Sequence, residues 1–379
     1  MNSTNRQIFL CDTTLRDGAQ APGICLSADE KHAIADALIN AGIDELEAGI
    51  PAMGQESVAF LSDLVSMHPD VPVSCWCRCR REDLEAAAGT GASIVHISVP
   101  ASPILLESLG MSWEDIFGTF QSVASAASDM FANVSLGIQD AFRTPPERIR
   151  MLSETAAGLS FYRIRIADSV GTALPEDVRG LVTAVGKEFN VSVAFHGHND
   201  LGLATANSLA AAEAGAMFLD VTVNGIGERA GNTKLHEIAA VLHMHKRLNT
   251  GFDLSGIQDI SALVSRQTNR AFPVNEPIIG EQIFTHSSGI HCSSIIKNEL
   301  SYQPFPADFV GRDGYTFLAG THSGTKGIAK MLESEGISAK ADTIRAFSMR
   351  VKQKSASERR TFTATELAQE FYHFNRNTI

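Results

Sequence analysis

Short apolar stretches alternate with amphipathic stretches through the first 250 residues of the chain. Each apolar stretch has the length and composition of a buried strand, and each amphipathic stretch has the spacing of a helix. Eight strand–helix units follow one another, with the strands IFLCDTTL, IDELEAGIP, VPVSCWC, SIVHISVP, ANVSLGI, FYRIRIADS, VSVAFHGH and MFLDVTV. The number of units predicts an α/β fold, a (β/α)8 TIM barrel over residues 1–251.

An open, doubly wound parallel sheet is the alternative fold for the same alternation. The count of eight and the polar residues that follow so many of the strands favour the barrel. The first helix also has clear boundary signals, because Ser27 and Glu30 form a capping-box pattern and Gly42 follows the helix. After Gly251 the alternation stops, and residues 252–379 are predicted to form a mostly helical C-terminal extension.

Composition and charge exclude several classes of protein. The 379 residues carry a formal net charge of −12, which argues against a nucleic-acid partner. No stretch approaches the roughly 18 apolar residues of a membrane span, and the N-terminus lacks the apolar core of a secretory signal. The cysteines fit a cytoplasmic protein. Cys75, Cys77 and Cys79 lie two apart on one predicted strand, which indicates small buried residues rather than a metal site.

Chemically active side chains follow nearly every predicted strand, where the catalytic residues of a TIM barrel lie. These are Thr13, Thr14, Arg16, Asp17 and Gln20 after the first strand; Glu45 and Glu47 on the second; Arg78 on the third; Gln139, Asp140 and Arg143 on the fifth; Asp168 and Ser169 on the sixth; His196, His198, Asn199 and Asp200 on the seventh; and Asn224, Glu228, Arg229 and Asn232 after the eighth.

Two histidines at the end of the seventh strand indicate a metal site. His196 and His198 lie two apart, so their side chains share one face of the strand. Asp17 follows the first strand, which is a near neighbour of the seventh in a closed eight-stranded barrel. Two imidazoles and one carboxylate suit a divalent cation and leave open positions for a substrate. Hydrogen-bonded histidines at the barrel mouth are the alternative interpretation.

Six motifs in this order resemble the metal-dependent Claisen-condensing barrel enzymes, which include isopropylmalate, citramalate and homocitrate synthases. They are DTTLRDGAQAPG, ELEAGIPAMG, ADSVG, HGHNDLGLATANS, NGIGERAGN and THSSGIH, and the resemblance covers residues 8 to about 330. It is strongest to the nitrogenase-type homocitrate synthases. The resemblance implies condensation of acetyl-CoA with a 2-oxo acid, followed by hydrolysis that releases CoA. It also implies a homodimer.

The resemblance assigns roles to individual residues. Asp17, His196 and His198, with Asn232 contributing, would hold the divalent cation, which is Mg, Mn, Co or Zn. Arg16 would donate to the keto oxygen of the substrate and stabilise the developing alkoxide. A structural ion pair between Arg16 and Glu45 or Glu47 is the alternative for that residue.

Further residues complete the implied site. His291 matches the histidine that removes the methyl proton of acetyl-CoA, often from the neighbouring subunit. Tyr302 matches an associated tyrosine, and Tyr315 is a rival for its role. The expected substrate-binding residues are Gln20, Glu47, Arg78, Arg143 and Ser169.

Three departures from the family pattern bear on the substrate. Gln139, which the resemblance counts with Arg16, His291 and Tyr302 as catalytic, stands where relatives have a glutamate. An amide cannot accept a proton as a general base. Ala19 in DGAQ replaces another carboxylate, and Ser169 replaces a threonine. The lost negative charges would favour a more highly charged substrate, whose distal anion Arg78 and Arg143 would bind. 2-Oxoglutarate, giving homocitrate, is the default substrate that the family resemblance implies. Phosphonopyruvate, giving a phosphonomethylmalate, is the alternative that the lost carboxylates favour.

Two other classes of function are weighed against the synthase. The loss of the glutamate at position 139 also fits a non-catalytic barrel that binds a metal and an oxo acid. Lyase relatives use a cysteine in the loop after the eighth strand, and GIGERAGN has none. The lyase reaction is therefore not expected.

Overall fold

The computed structural model describes residues 5–245 and 247–376. Eight parallel strands form a closed barrel in chain order, and the eighth strand pairs with the first. The barrel strands are β1 (Phe9–Asp12), β2 (Glu45–Glu47), β3 (Val73–Arg78), β4 (Ile94–Pro100), β5 (Val134–Gln139), β6 (Arg163–Asp168), β7 (Val193–Gly197) and β8 (Phe218–Val221). The predicted TIM barrel is confirmed, and the open sheet is excluded.

Helices follow the barrel strands and cover them from outside. They are α1 (Ala28–Asn40), α2 (Gln55–Met67), α3 (Arg81–Ala88), α4 (Pro103–Leu109), α5 (Trp113–Met130), α6 (Pro146–Gly158), α7 (Pro175–Phe189), α8 (Ala204–Ala214) and α9 (Leu235–Met244). Ser27 and Glu30 form the predicted capping box at the start of α1. The unit after β4 contains two helices, because Gly110 ends α4 in a left-handed conformation and Ser112 caps α5.

The chain divides into two compact units between Ala271 and Phe272, rather than after residue 251 as the sequence pattern indicates. The reason is α10 (Ile257–Thr268), which packs against α1. Its residues Ile257, Ile260 and Val264 are buried, so the amphipathic helix belongs to the barrel unit.

The second unit is mostly helical, as predicted. It contains α11 (Gly289–Ile295), α12 (Thr325–Ser334), α13 (Ala341–Glu358) and α14 (Ala364–Arg376), with the paired two-residue strands β9 (Thr285–His286) and β10 (Thr316–Phe317). Aromatic and aliphatic side chains, including Phe347, Phe362 and Phe371, form its core. No helix in the described ranges is long and apolar enough to span a membrane.

The interior of the barrel is unusually polar. TIM barrels are generally filled by branched aliphatic side chains. Here the inward positions two apart on β2 are Glu45 and Glu47, and those on β6 are Arg163 and Arg165. All four are almost completely buried, and the opposite charges pair directly: Arg163 with Glu45 and Arg165 with Glu47. Buried ion pairs therefore occupy interior positions of the barrel where aliphatic side chains are usual.

Candidate active site and metal centre

A cavity of about 230 Å³ opens in the barrel unit among the predicted site residues. Its lining residues are Arg16, Asp17, Gln20, Trp76, His96, Ser98, Gly137, Gln139, Arg165, Ala167, Ser169, His196, His198, Glu228 and Arg229. These come from β3 to β7 and from the segments after β1 and β8. The cavity is thus built from many strands, as expected for a TIM-barrel active site.

The predicted cation ligands converge on one point of the cavity wall. Asp17 Oδ2 lies 3.2 Å from His196 Nε2 and 3.7 Å from His198 Nε2. The two Nε2 atoms lie 3.3 Å apart. One donor atom from each residue therefore lies within 4.8 Å of the others, which is close enough for a single ion to contact all three.

Asp220 on β8 orients the first imidazole. Its Oδ2 atom lies 3.0 Å from His196 Nδ1 and accepts the hydrogen bond, because an ionised carboxylate has no proton to donate. The Nε2 lone pair of His196 then faces the other ligands, the arrangement that a carboxylate behind a metal-binding histidine enforces. Burial opposes protonation of His196, but Asp17 and Asp220 outweigh it and raise its pKa to about 9. The two carboxylates therefore favour a positive charge, either a proton or a cation, at His196 Nε2.

The protonation states of the other two ligands also suit a cation. Burial, and then the neighbouring His196, lower the pKa of His198 to about 4, so its imidazole is neutral. Burial alone would raise the pKa of Asp17, but Arg16 and His196 outweigh it and hold that pKa below its usual range. A neutral imidazole and an ionised carboxylate are the forms that bind metals.

Buried oxygen atoms provide an independent test of the fit. Within the described chain, Asp17 Oδ2 and Asn232 Oδ1 are buried without a hydrogen-bond partner. The amide nitrogen of Asn232 donates to Ile226 O at 3.2 Å, and Asn232 bridges the backbone of His198. A side chain at Gly227 would put its Cβ atom 2.1 Å from Asn232 Nδ2, so glycine is required there. Unpaired buried oxygens beside two imidazoles fit a divalent cation.

Arg16 is held beside this centre by Glu47. Its Nε donates to Glu47 Oε1 at 2.6 Å, and its Nη1 lies 3.5 Å from Asp17 Oδ2. Arg16 therefore forms the structural ion pair with Glu47 through its Nε, and it also lines the cavity. Glu47 is fully buried behind Arg16 and does not line the cavity, so it supports the site rather than contacting its contents.

The same ion pairs continue behind the cation ligands. Glu47 Oε2 accepts from Arg165 Nη1 at 2.6 Å, and Arg165 Nε lies 3.0 Å from Asp220 Oδ2. We call Arg16, Glu47, Arg165, Asp220 and His196 the metal-side network. Each member is fixed by its neighbour, so the network orients the arginine and the imidazole together.

Three further predicted site residues line the cavity: Gln20 and Ser169, predicted to bind the substrate, and Gln139, predicted to be catalytic. Gln20 and Gln139 present neutral amides, and Ser169 presents a hydroxyl. The backbone N–H of Asp140 donates to Ser169 Oγ at 2.9 Å, which leaves the Ser169 proton free to donate elsewhere. The structure therefore brings these side chains together with the cation ligands.

Arg78 and Arg143 do not line the cavity, contrary to the expectation that they bind a distal anion. Arg78 pairs with Asp83, with its Nη2 2.8 Å from Oδ1, at the start of α3. Arg143 pairs with Asp140, with its Nη2 2.8 Å from Oδ2. Local carboxylates three and five residues away thus take up both guanidinium groups, and the geometry gives their predicted role no support.

The predicted base and its tyrosine lie in the second unit. The rings of His291 on α11 and Tyr302 stack with centroids 4.1 Å apart. Tyr302 is 46% exposed, whereas Tyr315 packs against Phe317 beside the apolar core of that unit. Of the two tyrosines, Tyr302 is the one that the structure associates with His291.

Four buried residues of the site were not singled out by the sequence motifs: His96, Ser98, Arg165 and Asp220. Each lies inside a predicted strand rather than after it. Their signal was present, because His96 and Ser98 lie two apart in an otherwise apolar strand, as do Arg163 and Arg165. Charged or polar residues with a period of two indicate an inward face that is not aliphatic.

The fold and the site together define a TIM-barrel protein whose cavity contains a donor set suited to a divalent cation. A family model described as HMGL-like matches residues 7–264, and one described as homocitrate synthase post-HMGL domain-like matches residues 278–359. The chain belongs to the HMGL-like family. The resemblance to Claisen-condensing synthases that the motifs predict is confirmed by this match and by the relatives.

Individual relatives include more than one kind of synthase. The chain is 36% identical over 354 residues to 2-phosphonomethylmalate synthase of Streptomyces rubellomurinus, covering 91% of this chain and 94% of the relative. It is 37% identical over 337 residues to homocitrate synthase of Frankia alni, covering 87% and 94%. Among solved structures, hydroxymethylglutaryl-CoA lyase from Pseudomonas aeruginosa has a TM-score of 0.61 at 21% identity, covering 71% of this chain and 94% of that one. That likeness supports the barrel fold alone.

Proposed function

We propose that this protein is an acetyl-CoA-dependent acyltransferase that condenses acetyl-CoA with a 2-oxo acid carrying a second anionic group. The observation that carries the proposal is the convergence of Asp17, His196 and His198 beside Arg16 in one cavity. A divalent cation bound there supplies a Lewis acid that polarises a keto oxygen. The names of the relatives, homocitrate synthase and 2-phosphonomethylmalate synthase, support the same reaction class.

Arg16 stabilises the charge that develops on the keto oxygen. Glu47 anchors its Nε at 2.6 Å, so the terminal nitrogens are positioned before the substrate arrives. A preorganised donor of this kind costs no reorganisation when the alkoxide forms. Because Arg16 remains protonated at any working pH, it acts as a donor and not as an acid or base.

Neutral donors bind the substrate carboxylate. Ser169 has a free hydroxyl proton, and Gln20 and Gln139 offer amide N–H groups in the same cavity. None of the three adds negative charge near the anionic substrate. They orient the 2-oxo acid so that one face of its keto group meets the acetyl carbon.

His291 removes the methyl proton of the acetyl thioester. A general base is needed for this weakly acidic proton, and Gln139 cannot accept one. Tyr302 stacks on the imidazole and holds its ring. We further propose that the enzyme is a homodimer in which His291 acts on the neighbouring barrel, as the family resemblance implies.

Phosphonopyruvate is the first candidate substrate and 2-oxoglutarate the second. Among the described residues that line the cavity, the carboxylates are Asp17 and Glu228, and Gln139 takes the place of a third. Fewer carboxylates reduce the repulsion of a phosphonate, which carries more charge than a carboxylate. The relative named homocitrate synthase favours 2-oxoglutarate instead.

The test is thiol release from acetyl-CoA with phosphonopyruvate, 2-oxoglutarate, pyruvate and 2-oxoisovalerate, each with Mg, Mn, Co or Zn added separately. We expect turnover with an acid that carries a distal anion, and loss of turnover after chelation. Efficient turnover of 2-oxoglutarate with inert phosphonopyruvate selects the second candidate. Tight metal binding without thiol release from any acid would support the non-catalytic barrel.

The origin of the base is tested by mixing two inactive variants, Asp17→Asn and His291→Ala. In a homodimer that shares its sites, mixed dimers contain one intact pair of Asp17 and His291, and part of the activity returns. No recovery after subunit exchange, with mixed dimers demonstrated by mass spectrometry, would place both residues in one subunit.

A further inference from the structure

Basic side chains meet at the end of the barrel opposite to the cation ligands. In a (β/α)8 barrel the strands run toward the mouth and the helices return to the other end. Arg6 precedes β1, and Glu213 lies in the last turn of α8. His245 and Arg247 follow α9, so they lie at this end as well. With Leu248 these residues line a cavity of about 210 Å³, which we call the far-end cavity and which has room for one small oxyanion.

Two short strands and a helix end hold Arg6 at this cavity. Arg6–Gln7 pairs in parallel with Leu248–Asn249, and the backbone N–H of Arg6 donates to Arg247 O at 2.9 Å. The Nη2 atom of Arg6 donates to Ala212 O near the end of α8, where the helix dipole favours a cation. Arg6 is therefore fixed at its backbone and at one tip of its guanidinium group before any ligand binds.

The Arg6 side chain nevertheless lacks an acceptor. Among the described residues, Arg6 Nε is buried without a hydrogen-bond partner. Burial lowers the pKa of Arg6 from its ordinary value, and within the described ranges no carboxylate offsets that effect. Buried donors without acceptors are rare in folded proteins. An oxygen atom of an anion in the far-end cavity would supply the missing acceptor.

The carboxylate that lines this cavity is already neutralised. Arg179 Nη2 pairs with Glu213 Oε2, and His245 Nε2 lies 3.4 Å from Glu213 Oε1. His245 Nδ1 accepts from the backbone N–H of Arg247 at 3.1 Å, so the imidazole proton lies on Nε2 and is donated to Glu213. Three arginines thus surround one carboxylate. The far-end cavity carries excess positive charge in a chain whose formal net charge is −12.

We propose that the far-end cavity binds a tetrahedral dianionic oxyanion, either free phosphate or the phosphate group of a small metabolite, through Arg6 and Arg247. Arginine suits such anions because its planar group offers several N–H donors and a permanent charge. Arg6 Nε gains its acceptor, and the exposed Arg247 closes on the anion without a change in the buried structure. The site shares no residue with the barrel mouth, so the inference does not depend on the proposed function.

Calorimetric titration of the full-length protein with inorganic phosphate is the first test, at an ionic strength held constant with chloride. We expect one saturable step whose affinity falls by about tenfold or more in Arg247→Gln, because hydrogen bonds to charged groups are strong. Arg150→Gln removes an exposed guanidinium group from α6 and should bind as the wild type does. The step should persist with a chelator present, which separates it from phosphate bound to a cation at the mouth.

Two results of this titration would overturn the proposal. One is the absence of saturable binding at millimolar phosphate. The other is unchanged affinity in Arg247→Gln, which would place the phosphate at another site.

Thermal unfolding gives a second readout. A ligand that binds only the folded state raises the unfolding midpoint as its concentration rises. Phosphate should raise the midpoint of the wild type and of Arg150→Gln more than that of Arg247→Gln. Without phosphate the three proteins should unfold alike, because both substituted side chains are exposed. An equal rise in Arg247→Gln would contradict binding at the far-end cavity.

Nuclear magnetic resonance tests the contact with Arg6 directly. The Nε–H resonance of Arg6, assigned by its absence in Arg6→Lys, should shift with phosphate and saturate with the calorimetric step. The Nε–H resonance of Arg150 should stay in place. A stationary Arg6 resonance during saturable binding would overturn the proposal.

Comparison of inorganic phosphate with glycerol phosphate distinguishes the two sources of the anion. Equal affinities, both lowered in Arg247→Gln, would show that the phosphate group alone is recognised. Tighter binding of glycerol phosphate would identify an organic phosphate as the ligand. Equal effects of chloride at matched ionic strength would show a diffuse charge effect and overturn the proposal.

Discussion

The metal-side network and a second set of contacts start from the same two strands, β2 and β6, and end at different histidines. The second set, which we call the distal-side network, consists of Glu45, Arg163, Ser135 and His96. Each contains an ion pair between a glutamate of β2 and an arginine of β6. The two glutamates are two residues apart on β2, and the two arginines are two residues apart on β6. The metal-side network continues to the carboxylate of Asp220, which accepts from His196 Nδ1. The distal-side network continues to the hydroxyl of Ser135, which lies 2.9 Å from His96 Nδ1 and, unlike a carboxylate, can either donate or accept there.

The difference between a carboxylate and a hydroxyl at Nδ1 determines how strongly each histidine is held in one tautomer. A carboxylate behind Nδ1 puts the proton there and leaves a lone pair on Nε2 for a cation. The Ser135 hydroxyl, which accepts from Arg163, can donate to His96 Nδ1 or accept from it, so it does not place the proton of His96 on one nitrogen. The carboxylate behind His196 therefore fixes the tautomer that a cation ligand needs, whereas the hydroxyl beside His96 imposes no such constraint.

Breaking the donor set that the metal-side network supports should have the largest effect. Asp17→Asn should lower thiol release by about 10³-fold or more, because a Lewis acid contributes several kcal/mol to such a reaction. Calorimetric binding of Mn²⁺ should be lost as well. Chelation of the wild-type protein should give the same result and be reversed by added cation. Retention of a tenth of the activity by chelated Asp17→Asn would contradict the assignment.

Removing the acid at the start of the distal-side network should mainly affect stability. Glu45→Gln leaves the buried Arg163 without its partner and should lower the free energy of unfolding by about 3–5 kcal/mol. The matched control is Glu85→Gln, which breaks an exposed pair with Arg81 and should cost about 1 kcal/mol or less. Denaturant unfolding measures both. Equal costs would show that the buried network does not stabilise the barrel.

Asp220→Asn should separate the two networks by their response to metal. Loss of the carboxylate behind His196 should weaken cation affinity by about 10- to 100-fold. Asp36→Asn, which alters the surface pair with His68, is the control for loss of a carboxylate beside a histidine. Unchanged cation affinity in Asp220→Asn would remove Asp220 from the metal-side network.

The smallest expected effect is a pH dependence of stability due to His96. Its folded pKa lies below the unfolded value of about 6.5, so the unfolded state binds more protons in acid. The stability contributed by neutral His96 is therefore complete above that value and is lost as the pH falls through it. When the pH falls from 7 to 5, the unfolding free energy of the wild type should decrease by up to about 2 kcal/mol more than that of His96→Asn. Parallel pH curves would contradict a neutral, buried His96.

Residues that follow strands were easier to predict than residues inside them. The HGH motif and Asp17 were predicted as one site, because closed-barrel geometry brings the ends of β1 and β7 together. The assignment of Arg78 and Arg143 to the substrate lacked the information that Asp83 and Asp140 neutralise them locally. Position after a strand indicates proximity to the mouth, but the nearest partner of each side chain decides where its charge is used.

The sequence by itself determined the barrel, since eight repeats of strand and helix spacing leave few ways to bury the apolar faces. It also determined the chemical types at the site, because the motifs contain the two imidazoles, the carboxylate and Arg16. Only the tertiary structure decided that the carboxylate of Asp220 lies at His196 Nδ1, that the hydroxyl of Ser135 lies at His96 Nδ1, and that Gly137 provides the space for His96. Those properties depend on contacts between strands up to 118 residues apart in the chain, which spacing along the sequence does not specify.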